Sequence, residues 1–287
     1  MMAKQIALYG KGGVGKTTIA ANLAAALAAG GGRVLLIGCS PTADSSHLLV
    51  GETVPVTLHA FLQGKVKPAT EELVTAGYHG VGCIEIGEPL DNCGCSSRSI
   101  SAAIDKIYEI GVIERFAPEY VIYDMPGDPG CLSELSLEKR GVDLSLIVTS
   151  ADFQSMYASN RLIALQKKVA EKSRIALVVN GSVSSFEDSF VEDFAAQVGL
   201  CVAAAIPRSF AVRHSELYGK TVIEAGPLSS HAYAYRGLAR KIVDNGLSRS
   251  SGKAEPLDAT ALKEWAHEWG RRLGELEFGI ISDGAGI

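Results

Sequence analysis

The sequence predicts an α/β fold with a doubly wound, mostly parallel sheet, and three observations predict it. Six short runs, "QIALYG", "RVLLIGC", "YVIYDMP", "LSLIVTS", "RIALVVNG" and "LCVAAAIP", are almost continuously apolar, as strands covered on both faces are. Longer helical stretches separate many of them, near 16–29, 99–110, 155–171, 186–198 and 229–245, and such alternation builds parallel sheets. A glycine-rich turn, "GKGGVGKTT", joins the first strand to the first helix. Ligands of such sheets gather beyond the carboxyl ends of the strands.

Length and composition set the bounds. With 287 residues, 47% hydrophobic and 21% charged, the chain can bury a sizeable core. A formal net charge of −5 argues against a general polyanion-binding surface, so no nucleic-acid partner is expected. "KQIALYG" reads as a strand almost from the start, so no signal peptide is expected. The run "IAANLAAALAAG" is short and ends in glycine, which suits a buried helix and not a membrane span. The expectation is a cytoplasmic protein without a membrane partner.

Residues 1–246 read as one body, with no internal repeat. Residues 247–287 read as a linker and a C-terminal helix: "NGLSRSSGKAEP" is polar and punctuated by Ser, Gly and Pro. Leu262, Trp265, Trp269, Leu273 and Leu276 then recur at helical spacing. The opposite face mixes Lys263, Glu264, Glu268, Arg271 and Glu275, unlike the basic face of a membrane-surface helix. A helix packed back onto the body is expected.

The loop at 10–18 satisfies G-x-x-x-x-G-K-[ST] through Gly10, Gly15, Lys16 and Thr17. Gly12, Gly13 and Gly15 let backbone N–H groups, those of Val14 and Thr18 among them, turn toward phosphate oxygens at a helix N-terminus. Lys16 should reach the β- and γ-phosphates and the Thr17 hydroxyl should ligate Mg²⁺, so the pattern points to MgATP. Asp124 closes the strand "YVIYD", where a carboxylate can meet the Mg²⁺ shell or its water.

Six cysteines lie at 39, 83, 93, 95, 131 and 201, more in keeping with reduced thiols or metal ligands than with disulfides. Cys39 and Cys201 sit in apolar runs and read as core. Cys83, Cys93, Cys95 and Cys131 are left for chemistry. The six histidines show no zinc-type spacing with cysteine.

Lys11, directly after the first glycine of "GKGGVGKTT", resembles the signature lysine of the deviant Walker A P-loop ATPases. These include partition, septum-site and iron–sulfur carrier ATPases and the nitrogenase iron protein. That resemblance implies a homodimer in which Lys11 contacts the partner's nucleotide. "GCSPTADSS", "GYHGVGCIE", "CGCSSRSI", "YDMPGDPGC", "VVNGS", "IPRS" and "GKTVIEAGP" before "YRGLARKIVDN" follow in the order found in nitrogenase iron proteins. The chain therefore resembles that family, as a divergent member, over roughly residues 4–246. The related reductases of dark-operative chlorophyll synthesis and of methanogen nickel-tetrapyrrole synthesis share the series.

The resemblance implies an ATP-dependent electron-transfer component serving a nitrogenase-like catalytic protein, with a donor such as ferredoxin or flavodoxin. It places two ligands of a [4Fe–4S] cluster at Cys95 and Cys131, so that a dimer holds one cluster through four thiolates. It implies that Asp128 activates the attacking water, that Asp44 retains a family aspartate, and that Asn180, Pro207 and Arg208 frame the adenine. Arg98 falls on the docking surface for the catalytic partner, while Cys83 matches a non-ligand cysteine and Cys93 is extra. Asp124 and Cys131 are seven residues apart, a span of at most about 25 Å when extended. The segment is thereby expected to transmit nucleotide state to the cluster.

Departures mark the divergence. Where the family's first switch reads Asp-Pro-Lys, this chain has Ser40-Pro41-Thr42, and a serine cannot act as a carboxylate base or anionic metal-shell ligand. "LSELSLEKR" follows Cys131 in place of a small, glycine-rich apolar run, and Pro126 and Pro129 stiffen the second switch. These changes favour service to a nitrogenase-like enzyme other than a dinitrogen reducer. Three rival readings are a partition- or septum-type regulatory ATPase, an iron–sulfur cluster carrier, and an ATP-driven remodeller of a partner. The carrier commonly shows C-x-x-C, whereas Cys93 and Cys95 form C-x-C.

Overall fold

Strand β1 (Lys4–Tyr9) runs through the middle of an eight-stranded sheet, paired in parallel with β5 (Tyr120–Asp124) and β6 (Leu144–Thr149). The structure is a computed structural model that describes residues 3–64, 70–88, 97–127, 141–169, 173–247 and 254–279. The other strands are β2 (Val34–Gly38), β3 (Thr75–Ala76), β4 (Gly82–Glu85), β7 (Arg174–Ser182) and β8 (Val202–Pro207). Their order is β3-β4-β2-β5-β1-β6-β7-β8, and only the β3–β4 pairing is antiparallel.

The longer helices are α1 (Lys16–Ala29), α2 (Ser97–Glu109), α3 (Phe153–Val169), α4 (Ser185–Gln197), α5 (Phe210–Leu217), α6 (Ser230–Val243) and α7 (Ala259–Phe278). Five of these coincide with the helical stretches legible in the sequence. β3 and β4 are not among the six apolar runs. β3 is two residues long and β4 opens on a glycine, so neither is long enough to show a period.

Alternation along each strand divides the core in two. Ala7 and Tyr9 face a cluster shared with Ile104, Ile163 and Phe194, while Ile6 and Leu8 face one shared with Leu23 and Tyr235. Side chains that alternate across a strand must serve both faces. Both faces are covered here, so the strands carry apolar residues at every position. Alanine-rich α1 is buried along most of its length, because small side chains let it lie close beneath neighbouring elements.

The tail helix α7 is tied to α4 by aromatic packing. Trp265 meets Phe190 and Phe194, and Trp269 meets Phe186 and Phe190, with ring centroids 4.8–5.3 Å apart. Both indole N–H groups donate to the same Asp193 Oδ2 at 2.8 Å. Asp258 caps the helix by accepting from Thr260 N and Ala261 N. Packing ends after Trp269: Leu273 and Leu276, expected in the buried stripe, are exposed. Leu276 lies about 10 Å further along the axis than Trp269, past the aromatic cluster. No described helix is long and apolar enough to cross a membrane.

Candidate functional site

The phosphate loop leaves β1 and turns into α1 in the left-handed region: Gly15 has φ +96°, and a Cβ there would stand 2.2 Å from Asn180 Nδ2. Only glycine meets both demands at that position. The Asn180 amide donates to Val14 O at 2.8 Å, so this residue, expected at the adenine, also braces the loop from the end of β7. A glycine-rich loop at a helix N-terminus can present backbone N–H groups to an anion; here the Val14 N–H donates to Lys11 O at 3.3 Å.

Lys16 is buried, and its ammonium donates to the Lys11 carbonyl at 3.2 Å. Burial lowers the Lys16 pKa and the Asp124 carboxylate partly opposes that fall. A buried ammonium held by a carbonyl is ready to exchange it for a phosphate oxygen. Lys11 itself is exposed. Its charge helps hold the Asp152 carboxyl low: burial opposes this but is outweighed by hydrogen bonds from Ser150 and Ser155.

Asp124 is the pivot. Its Oδ2 accepts from Thr17 Oγ1 at 2.7 Å and from Ser45 Oγ at 2.8 Å. Its Oδ1 is buried and has no hydrogen-bond partner among the described residues. Burial lifts its pKa, against the two hydroxyl hydrogen bonds and Lys16. An unpaired buried carboxylate oxygen is costly, and a cation or its bound water answers it. Thr17, expected on Mg²⁺, is thereby set beside the acid expected to face the same ion.

The first switch is shaped by hydroxyl groups. Ser40 Oγ and Thr42 Oγ1 are 2.6 Å apart, and Thr42 donates to Asp44 Oδ1 at 2.6 Å. Ser40, standing where the family has a carboxylate, thus begins a relay that ends on Asp44. Two residues on, Ser46 gives both its N–H and its hydroxyl to Glu85 Oε1 at 2.6 Å. Glu85 is wholly buried at the end of β4 and its carboxyl is pushed up to about 7 by burial, against the Ser46 hydrogen bonds.

Beside the loop a cavity of about 510 Å³ opens between the ends of β7 and β8 and helices α5 and α6. Asn180, Pro207 and Arg208 line it, together with Arg213, Glu216 and Tyr235. Thr18 donates to Glu216 Oε1 at 2.7 Å. The Tyr235 hydroxyl is buried without a partner among the described residues, and burial raises its pKa. A concave site with a few convergent polar groups suits a nucleobase and sugar.

Sequence reasoning missed Glu85, Glu216 and Tyr235. For Glu85 a signal existed: "GCIE" is a short apolar run closed by an acid, as "YVIYD" is. Glu216 lies in a helix that carries no quoted motif, whereas Tyr235 opens the run "YRGLARKIVDN", which marked the family without assigning it a role. Cys83, which the resemblance matches to a non-ligand cysteine, is buried in β4, its Sγ donates to Val81 O, and burial pushes it up to about 12. A thiol so disfavoured as thiolate is a poor ligand. Cys93, Cys95, Asp128 and Cys131 lie outside the described residues.

Residues 4–270 match the family described as 4Fe-4S iron sulfur cluster binding proteins, NifH/frxC family. The chain is 37% identical to nitrogenase iron protein 2 of Paenibacillus durus, with 98% of this chain and 97% of that one covered. It is 36% identical to nitrogenase iron protein 2 of Methanothermobacter thermautotrophicus, covering 91% and 97%. Among solved structures, the MinD cell division protein of Aquifex aeolicus is similar with a TM-score of 0.65 at 21% identity, covering 84% and 97%. The septum site-determining protein MinD of Pyrococcus horikoshii, complexed with Mg-ADP, gives 0.65 at 22%, covering 87% and 99%. At such identities these two structures speak to the fold alone.

Proposed function

This chain belongs to the NifH/frxC family of 4Fe-4S iron–sulfur cluster binding proteins, as a divergent relative of the nitrogenase iron proteins; on that premise we propose that it is the ATP-dependent electron-transfer component of a nitrogenase-like enzyme. The observation that carries the reading is 37% identity to a nitrogenase iron protein sustained along 98% of the chain. The working unit is a homodimer that docks on a catalytic protein and is recharged by a donor such as ferredoxin or flavodoxin.

MgATP fits the residues present. Asp124 Oδ1 awaits a cation, Lys16 awaits an anion, and the cavity beside Thr18 has room for a base. Gly12, Gly13, Gly15 and Thr18 offer backbone N–H groups to the phosphates, Val14 joins them on releasing its 3.3 Å bond to Lys11 O, and Lys16 neutralises them. Thr17 ligates the metal while Asp124 holds its shell. Asn180, Pro207 and Arg208 frame the adenine, with Glu216 and Tyr235 beside them. Asp44 and Asp128 serve the hydrolytic water, and Lys11 reaches the partner's nucleotide from its exposed position.

Cys95 and Cys131 of two chains hold the cluster, which when bound supplies one-electron storage at low potential. Both lie outside the described residues, and the link from the phosphate loop to Cys131 runs along the chain. Asp124 touches Thr17 of the phosphate loop and begins the segment that reaches Cys131 seven residues on. A shift of Asp124 on nucleotide exchange is therefore passed along a short stretch of chain.

The test is iron and acid-labile sulfide per chain after anaerobic purification, for the parent and for Cys131→Ala. About four irons per two chains, lost in the variant, is the expected result. About four per single chain would point to a cluster inside one subunit. No iron with ATP hydrolysis intact would sink the redox reading and leave a regulatory ATPase.

A further inference from the structure

Two buried carboxylates reach one segment from opposite sides of β2. Glu85 ends β4 and Asp124 ends β5, the two strands that flank β2 in the sheet. Gly38, at the end of β2, lies in register with both. From there the chain turns through the first switch and delivers Ser45 to Asp124 and Ser46 to Glu85. Consecutive serines are thus drawn to acids on two different strands. A Cβ on Gly38 would stand 2.1 Å from Glu85 Oε2 and 2.7 Å from Ser45 Oγ, so the Glu85 side chain and the switch close over the strand end with no room between them.

We infer that Glu85 is a positioning residue for the magnesium site, clamping Ser46 so that Ser45 engages Asp124 Oδ2 and leaves Oδ1 to face the cation. The inference rests on the nucleotide reading above. Its physical basis is the pair of hydrogen bonds from one residue, Ser46, to one buried acceptor oxygen, each 2.6 Å. Two short bonds from backbone and side chain of the same residue fix both its position and its rotamer. With Ser46 held, the backbone of Ser45 is placed so that its hydroxyl reaches Asp124 Oδ2. Outer partners of this kind orient the groups that meet a metal, and their loss typically costs about 10–100-fold in metal affinity.

As a positioning residue, Glu85 neither touches nucleotide nor moves a proton. Its effect should therefore separate the metal-dependent part of nucleotide binding from the rest. Lys16, Asn180, Glu216 and Tyr235, which serve phosphate and base, make no hydrogen bond to it.

The experiment is titration calorimetry of ADP with excess Mg²⁺ and of ADP with EDTA, on the full chain of the parent, Glu85→Ala, Glu85→Gln and Ser46→Ala. The parent should bind ADP more tightly with Mg²⁺. Glu85→Ala should keep its EDTA affinity within about twofold and lose about tenfold of the Mg²⁺ enhancement. Glu85→Gln retains an acceptor for Ser46 and should recover most of that loss. Ser46→Ala removes one of the two bonds, fills no new space, and should lose a few-fold, which keeps the test alive if Glu85→Ala does not fold. Full Mg²⁺ enhancement in Ser46→Ala and Glu85→Ala would overturn the inference, as would equal loss with and without metal. A parent whose ADP affinity ignores Mg²⁺ would overturn the nucleotide reading along with it. Missing iron beside intact Mg²⁺-dependent binding would strike the redox reading alone.

Discussion

Gly127 lies against Gly12: a Cβ on Gly127 would stand 2.6 Å from Gly12 Cα, 2.7 Å from its N and 3.2 Å from Lys16 Nζ. The second switch segment, three residues beyond Asp124, therefore touches the phosphate loop backbone directly. With the Thr17–Asp124 hydrogen bond, it gives the loop two independent contacts with the chain that leads to Cys131. Backbone packed this closely leaves the loop little room to move without displacing that segment.

Gly127→Ala should push the loop off its cradle geometry. MgATP affinity is expected to fall by about tenfold, equivalent to about 1.4 kcal/mol. Equilibrium binding with a fluorescent ATP analogue checks this, and unchanged affinity would show that the segment yields freely.

The two loop lysines should separate cleanly. Lys16→Gln removes a buried cation from the phosphates, and nucleotide binding should fall by about a hundredfold or more. Lys11→Gln alters an exposed side chain and should leave MgADP binding to the monomer nearly unchanged while lowering hydrolysis. Binding and turnover measured on both variants decide it; equal losses in binding would mean that Lys11 works within its own chain.

Thr42→Val breaks the relay that runs from Ser40 through Thr42 to Asp44. Asp44 is then free to wander, so kcat for ATP hydrolysis should drop by a few-fold, about 1 kcal/mol, with little change in nucleotide affinity. A raised KM at constant kcat would place Asp44 in binding instead.

Glu85 makes stability depend on pH. Its carboxyl titrates at about 7 in the folded chain against 4.5 for the free group, so the folded state holds the extra proton between those values. Stability should then fall as pH rises through that window and stay low above it, by at most roughly 3 kcal/mol. Glu85→Gln cannot ionise, so urea unfolding of the nucleotide-free protein should show a shallower decline for the variant between pH 5 and pH 8. Parallel declines would return Glu85 to an ordinary carboxyl.

Asp193→Ala should loosen the tail helix. Trp265 and Trp269 are 7% and 6% exposed and share Asp193 Oδ2. Both indole N–H groups would lose their acceptor, costing about 2–4 kcal/mol in all. Thermal unfolding and tryptophan emission report the change, while MgADP affinity should hold because the nucleotide cavity contains none of these residues.

Much of this is legible in the sequence alone. The six apolar runs became strands because chain buried on both faces must be apolar throughout, and "GKGGVGKTT" located the site because only glycines tolerate the loop's φ angles. Asp124 could be read as a strand-end acid facing that loop. Glu85 ends a strand in the same manner, yet β4 is too short to announce itself. Residue type alone left Cys83 open to chemistry, the family resemblance marked it a non-ligand, and its burial in β4 agrees. The apolar stripe of α7 was visible in full, but its burial stops where the α4 aromatics stop.

The sequence by itself determined the alternation of strands and helices, the phosphate loop, and the motif series that marks the family. These are local properties: periodicity, backbone freedom and residue order survive without knowledge of what lies across the fold. Only the tertiary structure decided which acid meets which hydroxyl. Thr18 finds Glu216 198 residues away, Thr17 finds Asp124 at 107, and Ser46 finds Glu85 at 39. Those partners are set by strand order, β4-β2-β5-β1, and strand order is settled by how crossovers pack over the whole sheet, which no short stretch of sequence contains.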